Sequence, residues 1–225
     1  GTSHLVAATI PNCKAYDPAY AGEMAVIIDA GMREMVTEQR DVFYYVTLMN
    51  ENYAQPDLPA GATEGVLRGC YVFKSYQRLM DGRESPISSK SITLMGSGAI
   101  LTEVVKAAEL LAAEGVDVTV ISVTSWSELA RDGVACEQRA LSGEAEHGTP
   151  WLTQQLAGTA GPVIAATDYV RAVPETVRAF VPEGRRYITL GTDGFGRSDT
   201  RAALRQFFGV DAQAVAKAAR FALGL

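Results

Sequence analysis

Between Tyr71 and Leu190 the chain repeats one pattern: a short apolar run, a stretch of helical periodicity, then another apolar run. The runs are Tyr71 to Tyr76, Ser91 to Met95, Val118 to Val123, Val163 to Thr167 and Tyr187 to Leu190. Most hold apolar side chains at consecutive rather than alternate positions, so both faces of such strands must be covered. Between them Leu101, Val104, Val105, Ala108 and Leu111 mark an amphipathic helix closed by Gly115, and Pro174 opens another. Strands alternating with helices require crossovers, and crossovers of one hand lay the strands parallel with helices on both faces. The expected fold is α/β, a doubly wound and mainly parallel sheet over residues 69–225.

The first 65 residues do not fit that repeat. Asp17-Pro18 reads as a helix start, with Asp at the N-cap and Pro at the first helical position. Tyr20, Met24, Ile27, Ile28, Gly31 and Met35 then give one apolar face to a helix from about Pro18 to Val36. Asp41 to Met49 reads as a strand covered on both faces. One helix and one strand cannot bury a core, so residues 1–52 should lean on further chain or on a partner. Pro56, Pro59, Gly61 and Gly65 mark Asn50 to Gly69 as an interdomain linker, with the boundary near residue 65. Asp81 to Ser89 and Leu141 to Pro150 read as mobile polar loops.

Twenty basic against 26 acidic residues, a net charge of -6, leave no basic stripe for a phosphate backbone, so no nucleic-acid partner is expected. No apolar run approaches a bilayer span and no signal sequence opens the chain, so no membrane partner is expected and a cytoplasmic protein is. Cys13, Cys70 and Cys136 are too widely spaced for a disulfide framework or a metal knuckle and read as reduced thiols. The opening Gly1-Thr2-Ser3-His4, without an initiator Met, reads as the start of a processed or excised piece.

Few residues suggest chemistry. Gly96-Ser97-Gly98 lies between a strand and a helix, where backbone amides can hold a phosphate. Leu101 replaces the third glycine of a dinucleotide fingerprint, so a plain tight turn is the better reading. The loop Gly191 to Asp199 offers either a shaped turn with Ser198 or Asp199 capping the next helix, which is favoured, or an anion contact through Arg197. His147, in a Gly/Glu loop, reads as solvated, and His4 taken alone as a flexible terminal side chain. No GxSxG elbow and no P-loop occur.

Several segments in order, Ser3-His4, TIPNCKAYDPAYAGEMAVI (9–27), FYYVTLMNENYAQPDLP (43–59), LMGSGAI (94–100), VTSWSELARDG (123–133), ATDYV (166–170) and LGTDGFGRSDTR (190–201), resemble one family. It is that of the homodimeric bacterial pyruvate dehydrogenases, thiamine-diphosphate-dependent and transketolase-like. The resemblance implies that residues 1–65 are the end of a pyrimidine-binding domain plus linker, and residues 66–225 a transketolase C-terminal domain. It implies an oxidoreductase that, when complete, decarboxylates pyruvate on thiamine diphosphate with Mg²⁺ and reductively acetylates lipoyl groups. The implied partners are the upstream part of the same enzyme, a homodimer mate and the lipoyl-bearing dihydrolipoyl acetyltransferase.

In that family a Gly-x-x-His stretch carries a histidine into the active-site funnel, and Gly1-Thr2-Ser3-His4 is similar to it. His4 is therefore the catalytic candidate, an imidazole of near-neutral pKa that orients substrate or trades a proton. The GDG segment that grips Mg²⁺ and the glutamate that activates thiamine are not in the chain. The expectation is that these residues alone bind no cofactor and turn nothing over. The competing expectations are a noncatalytic assembly or regulatory module, and a related enzyme acting on another 2-oxo acid or a sugar phosphate.

Overall fold

A computed structural model describes residues 1–77 and 90–225, together with the backbone of 79–80 and 83–84. In chain order the elements begin with α1 Ser3–Ala8, β1 Cys13–Tyr16, α2 Ala21–Met32 with a π-helical turn Arg33–Thr37, and β2 Phe43–Val46. There follow α3 Thr63–Arg68, β3 Cys70–Tyr76, the short strands β4 Leu79–Met80 and β5 Arg83–Glu84, β6 Ser91–Gly96, α4 Ile100–Ala113 and β7 Asp117–Val123. The chain continues through α5 Trp126–Leu141, α6 Trp151–Ala157, β8 Val163–Ala166, α7 Ala172–Glu175, a 3-10 turn Arg178–Phe180, β9 Tyr187–Leu190, α8 Arg201–Phe208 and α9 Ala212–Leu223.

The main sheet has the order β3-β7-β6-β8-β9. Only β3 runs antiparallel, to β7; the pairs β6 with β7, β6 with β8 and β8 with β9 are parallel. Neighbouring residues of a strand point to opposite faces, and the packing follows that rule. Ile92, Leu94, Val118, Val120, Ile164 and Ala166 face α4 and α9, packing on Val104, Leu111 and Ala219. Met95, Ile121, Val123, Val163 and Ala165 point the other way, to Leu129 of α5 and Leu152 and Leu156 of α6. Each face thus has its own core, which is why the strands lack polar alternation. From β6 the chain crosses by α4 to β7 on one side, and later continues from β8 on the other. The sheet reverses direction between β6 and β8, the place where open α/β sheets usually leave a ligand crevice.

The first 49 residues form a smaller layer. β1, which sequence periodicity did not mark, pairs in parallel with β2 in the register Cys13 with Phe43 to Tyr16 with Val46. The other edge of β1 is held by α5: Ser125 Oγ donates to Ala15 O (2.6 Å) and Arg131 Nη1 to Cys13 O (2.6 Å). β2 is only partly buried, not covered on both faces. This layer leans in part on its own chain, because Tyr16 and Ile27 form one buried cluster with Val66 of α3 and Tyr71 of β3. The presumed linker between Asn50 and Gly69 therefore contains a helix that supplies a core residue. On the far side Ile28, Met32, Val36, Phe43 and Leu48 stay exposed.

Three expected helix starts are corrected. α2 begins at Ala21, not Pro18, because Asp17 is engaged elsewhere, and Glu23 Oε2 instead accepts from the N–H groups of Ala19 (2.6 Å) and Tyr20 (3.2 Å). Pro174 lies inside the one-turn α7 rather than at its start, tolerated because first-turn N–H groups lack helical partners anyway. α8 is capped by Thr200, whose hydroxyl accepts from Ala203 N–H, not by Ser198 or Asp199. The polar loop expected over Asp81 to Ser89 lies outside the described residues, apart from the backbone of β5. Residues 142–150 form the second expected loop. The cysteines are free and buried, and among the described residues no helix is long and apolar enough to cross a membrane.

Candidate functional site

His4 is not a loose terminal side chain. It is only 4% exposed, because α1 docks between β2 and the segment after β8. Its ring meets Tyr169 edge-on at 4.5 Å and Tyr45 at 5.5 Å, and Gly1 O accepts from Val170 N–H (3.1 Å). His4 Nε2 lies 2.9 Å from Thr47 Oγ1. Thr47 Oγ1 in turn donates to Asp17 Oδ1 (2.8 Å), and Ser97 Oγ donates to Asp17 Oδ2 (2.9 Å). Ser97 Oγ is 3.1 Å from Thr167 Oγ1, which accepts from Tyr169 N–H (3.3 Å). A continuous polar chain thus runs from α1 to the reversal point of the main sheet.

That chain explains Gly96-Ser97-Gly98. Gly98 has φ +53°, and its N–H donates to Asp17 O (3.0 Å) at the start of α4. A side chain at 98 would meet the Asp17 carboxylate at 2.6 to 2.8 Å. The turn that resembles a phosphate cradle is filled by a carboxylate of the same chain, so the tight-turn reading holds for a specific reason. Glu23 does the same one strand over. Its Oε1 accepts from Tyr71 O–H (2.8 Å) and Ser122 O–H (2.5 Å), tying α2 to β3 and β7.

Burial disfavours charge at both ends of the polar chain. It pulls His4 down to about 4, against the near-neutral value expected, so the imidazole is neutral at physiological pH. It pushes Asp17 up to about 6, against the opposing hydrogen bonds from Thr47 and Ser97. His4 also borders a largely apolar cleft of about 370 Å³ between α1 and α5, with Leu5, Trp126, Arg131 and Val134 on its walls.

The other sequence candidates do not join this cluster. His147 is exposed, with Nδ1 3.0 Å from Gly148 O. Arg197 stacks on the ring of Phe207 at 3.9 Å, and Asp193 Oδ1 accepts from Arg171 N–H (2.9 Å), so the loop Gly191 to Asp199 is organised by its own contacts. It also borders a second cleft, of about 340 Å³, with Arg201, Arg205, Glu51 and Asp168. Among the described residues no three His, Cys, Asp or Glu side chains converge as a metal site. Sequence reasoning missed Thr47 and Thr167, and took Asp17 for a helix cap. Their partners lie 30 to 80 residues away, beyond any local pattern.

A five-stranded, mainly parallel sheet with its reversal point plugged by a preceding two-stranded layer defines a transketolase-like fold. Transketolase from Campylobacter jejuni superposes on all of this chain and 28% of its own, with a TM-score of 0.63 at 16% sequence identity. The chain belongs to the transketolase-like TK C-terminal domain family, which matches residues 69–211. Residues 1–56 match the pyruvate dehydrogenase E1 component middle domain. The pyruvate dehydrogenase E1 component of Pseudomonas aeruginosa is 48% identical over 225 residues, 99% of this chain and 24% of the relative. That of Cupriavidus necator is 46% identical over 227 aligned positions, again 99% of this chain and 24% of the relative. The chain therefore spans about a quarter of the length of these relatives.

Proposed function

We propose that these residues act as the C-terminal part of a pyruvate dehydrogenase E1 component. Identity of 48% across 225 residues carries this reading, since it covers both the plugging layer and the main sheet. Residues 1–65 would be the end of the pyrimidine-binding domain plus linker and residues 66–225 the transketolase C-terminal domain, a division supported by two separate family matches, to 1–56 and to 69–211. The complete enzyme would be cytoplasmic and homodimeric, decarboxylating pyruvate on thiamine diphosphate with Mg²⁺ and acetylating lipoyl groups of the dihydrolipoyl acetyltransferase.

The residues of this chain do not fit the cofactor. The glycine turn opening α4, whose backbone amides could have received a phosphate, is filled by the Asp17 carboxylate. The part played by this chain is to close the sheet and to hold His4 at the edge of the active-site entrance. His4 acts there as a neutral hydrogen-bonding group, since burial keeps its proton affinity low.

The test mixes this chain with the upstream portion of the enzyme and assays pyruvate decarboxylation with thiamine diphosphate and Mg²⁺. Activity from the mixture and none from either part supports the reading; turnover by this chain alone overturns it. His4→Ala in the active mixture should lower kcat/KM at least tenfold, about 1.4 kcal/mol of transition-state stabilisation. A smaller loss removes His4 from the site.

A further inference from the structure

We propose that Asp17 is a positioning residue that fixes, through the hydroxyl of Thr47, which ring nitrogen of His4 carries the proton. The inference rests on His4 being a site residue, as read above, and goes beyond it by assigning the group that sets its hydrogen-bonding sense.

A threonine hydroxyl has one proton to give and two lone pairs to receive with. Thr47 Oγ1 has four partners in reach: Asp17 Oδ1 at 2.8 Å, His4 Nε2 at 2.9 Å, the Tyr16 carbonyl at 3.3 Å and the Tyr169 phenol, which can donate into the second lone pair. An ionised carboxylate only accepts, and its bonds are the stronger ones, so the Thr47 proton goes to Asp17. Thr47 can then only receive from His4, and His4 must be protonated at Nε2. The other oxygen of Asp17 receives the Ser97 proton, so Thr167 donates to Ser97 and every member of the chain is satisfied in one direction.

One proton on Asp17 Oδ1 reverses that direction. The carboxylic acid donates to Thr47, Thr47 donates to His4 Nε2, and the His4 proton moves to Nδ1. No heavy atom need shift. The titratable groups facing Asp17 are Glu23 of α2, Asp168 after β8, His4 of α1 and the phenols of Tyr53 and Tyr169. The carboxylates among them oppose a further negative charge. Together with burial they bring the reversal near pH 6, while His4 stays neutral. The nitrogen that His4 offers as donor or acceptor is thus chosen two side chains away.

The experiment is a long-range proton–nitrogen correlation spectrum of the 225-residue chain labelled with ¹⁵N-histidine, recorded from pH 8 to pH 5. The chain has only two histidines, His4 and the exposed His147, so the signals of His4 are assigned by their loss in His4→Gln. The expected result is a neutral His4 with the proton on Nε2 at pH 8, passing to Nδ1 as pH falls through about 6. Thr47→Ser should keep that passage, and Thr47→Val, which keeps the shape and removes the hydroxyl, should abolish it. A His4 tautomer that ignores pH in the wild type, one already protonated at Nδ1 at pH 8, or a Thr47→Val spectrum that still switches would each overturn the assignment. No activity is read, so failure here is distinct from failure of the proposed enzyme.

Discussion

The two ends of the main sheet are closed by opposite charges. At the ends where β6 and β7 finish, the carboxylates of Asp17 and Glu23 enter from the two-stranded layer and are met by the hydroxyls of Ser97, Thr47, Tyr71 and Ser122. At the ends where β6 and β8 begin, the guanidinium of Arg185 enters from the loop before β9. It donates to Gly161 O (2.7 Å), Leu156 O (2.9 Å), Thr159 Oγ1 (2.9 Å) and Thr93 Oγ1 (2.9 Å). In a parallel α/β layer the first end faces helix N-termini and the second faces helix C-termini, so the backbone favours an anion at one and a cation at the other. The difference lies in the source: the cation comes from within the domain, the anions from a separate layer.

Breaking the anion end should cost more, because it also unfastens the layer. Glu23→Ala leaves two backbone N–H groups and two hydroxyls without an acceptor and should lower unfolding stability by about 4 kcal/mol in a urea titration. A loss below about 1.5 kcal/mol would mean that the layer is not held by this carboxylate. Arg185→Met strands the Gly161 carbonyl within one domain, while the Leu156 carbonyl keeps the N–H and hydroxyl of Thr159, and should cost about 2 kcal/mol. Should it cost more than Glu23→Ala, the ranking of the two ends is inverted.

A pH series sharpens the contrast. The folded-state pKa of His4 is depressed to about 4, so its contribution to stability is present above the unfolded value and is lost as pH falls through 4. That of Asp17 is raised to about 6, so its contribution is present below the unfolded value and is lost as pH rises through 6. Between pH 4 and 6 the two slopes oppose each other and the wild type should be nearly flat. His4→Gln removes one of them, and the variant should lose about 2 to 3 kcal/mol on going from pH 4 to 6 by thermal melts. A flat profile in that variant would show that Asp17 does not titrate in this window.

The main sheet was legible because its strands announce themselves by short, mostly apolar runs such as Val163 to Ala166. β1 was missed because Cys13–Tyr16 contains Lys14 and no β-branched residue, unlike the equally short β8 and β9. The sixteen-residue α5 was not marked because Arg131, Asp132, Glu137 and Arg139 break up its apolar stripe. His4 was found through its motif, not its surroundings: nothing local tells that Thr47 will stand 2.9 Å away. Asp17 shows the limit most clearly, since Asp before Pro favours a cap by every local rule and only the distant Ser97 and Thr47 outbid it.

Asp17 is, chemically, a tethered formate. Its tip sits among hydroxyl donors at the mouth of a helix, a small receptor that the polypeptide satisfies with its own side chain. Cutting the tether with Asp17→Gly would leave that receptor vacant, and millimolar formate supplied in solution should then raise the melting temperature of the variant while leaving the wild type unmoved.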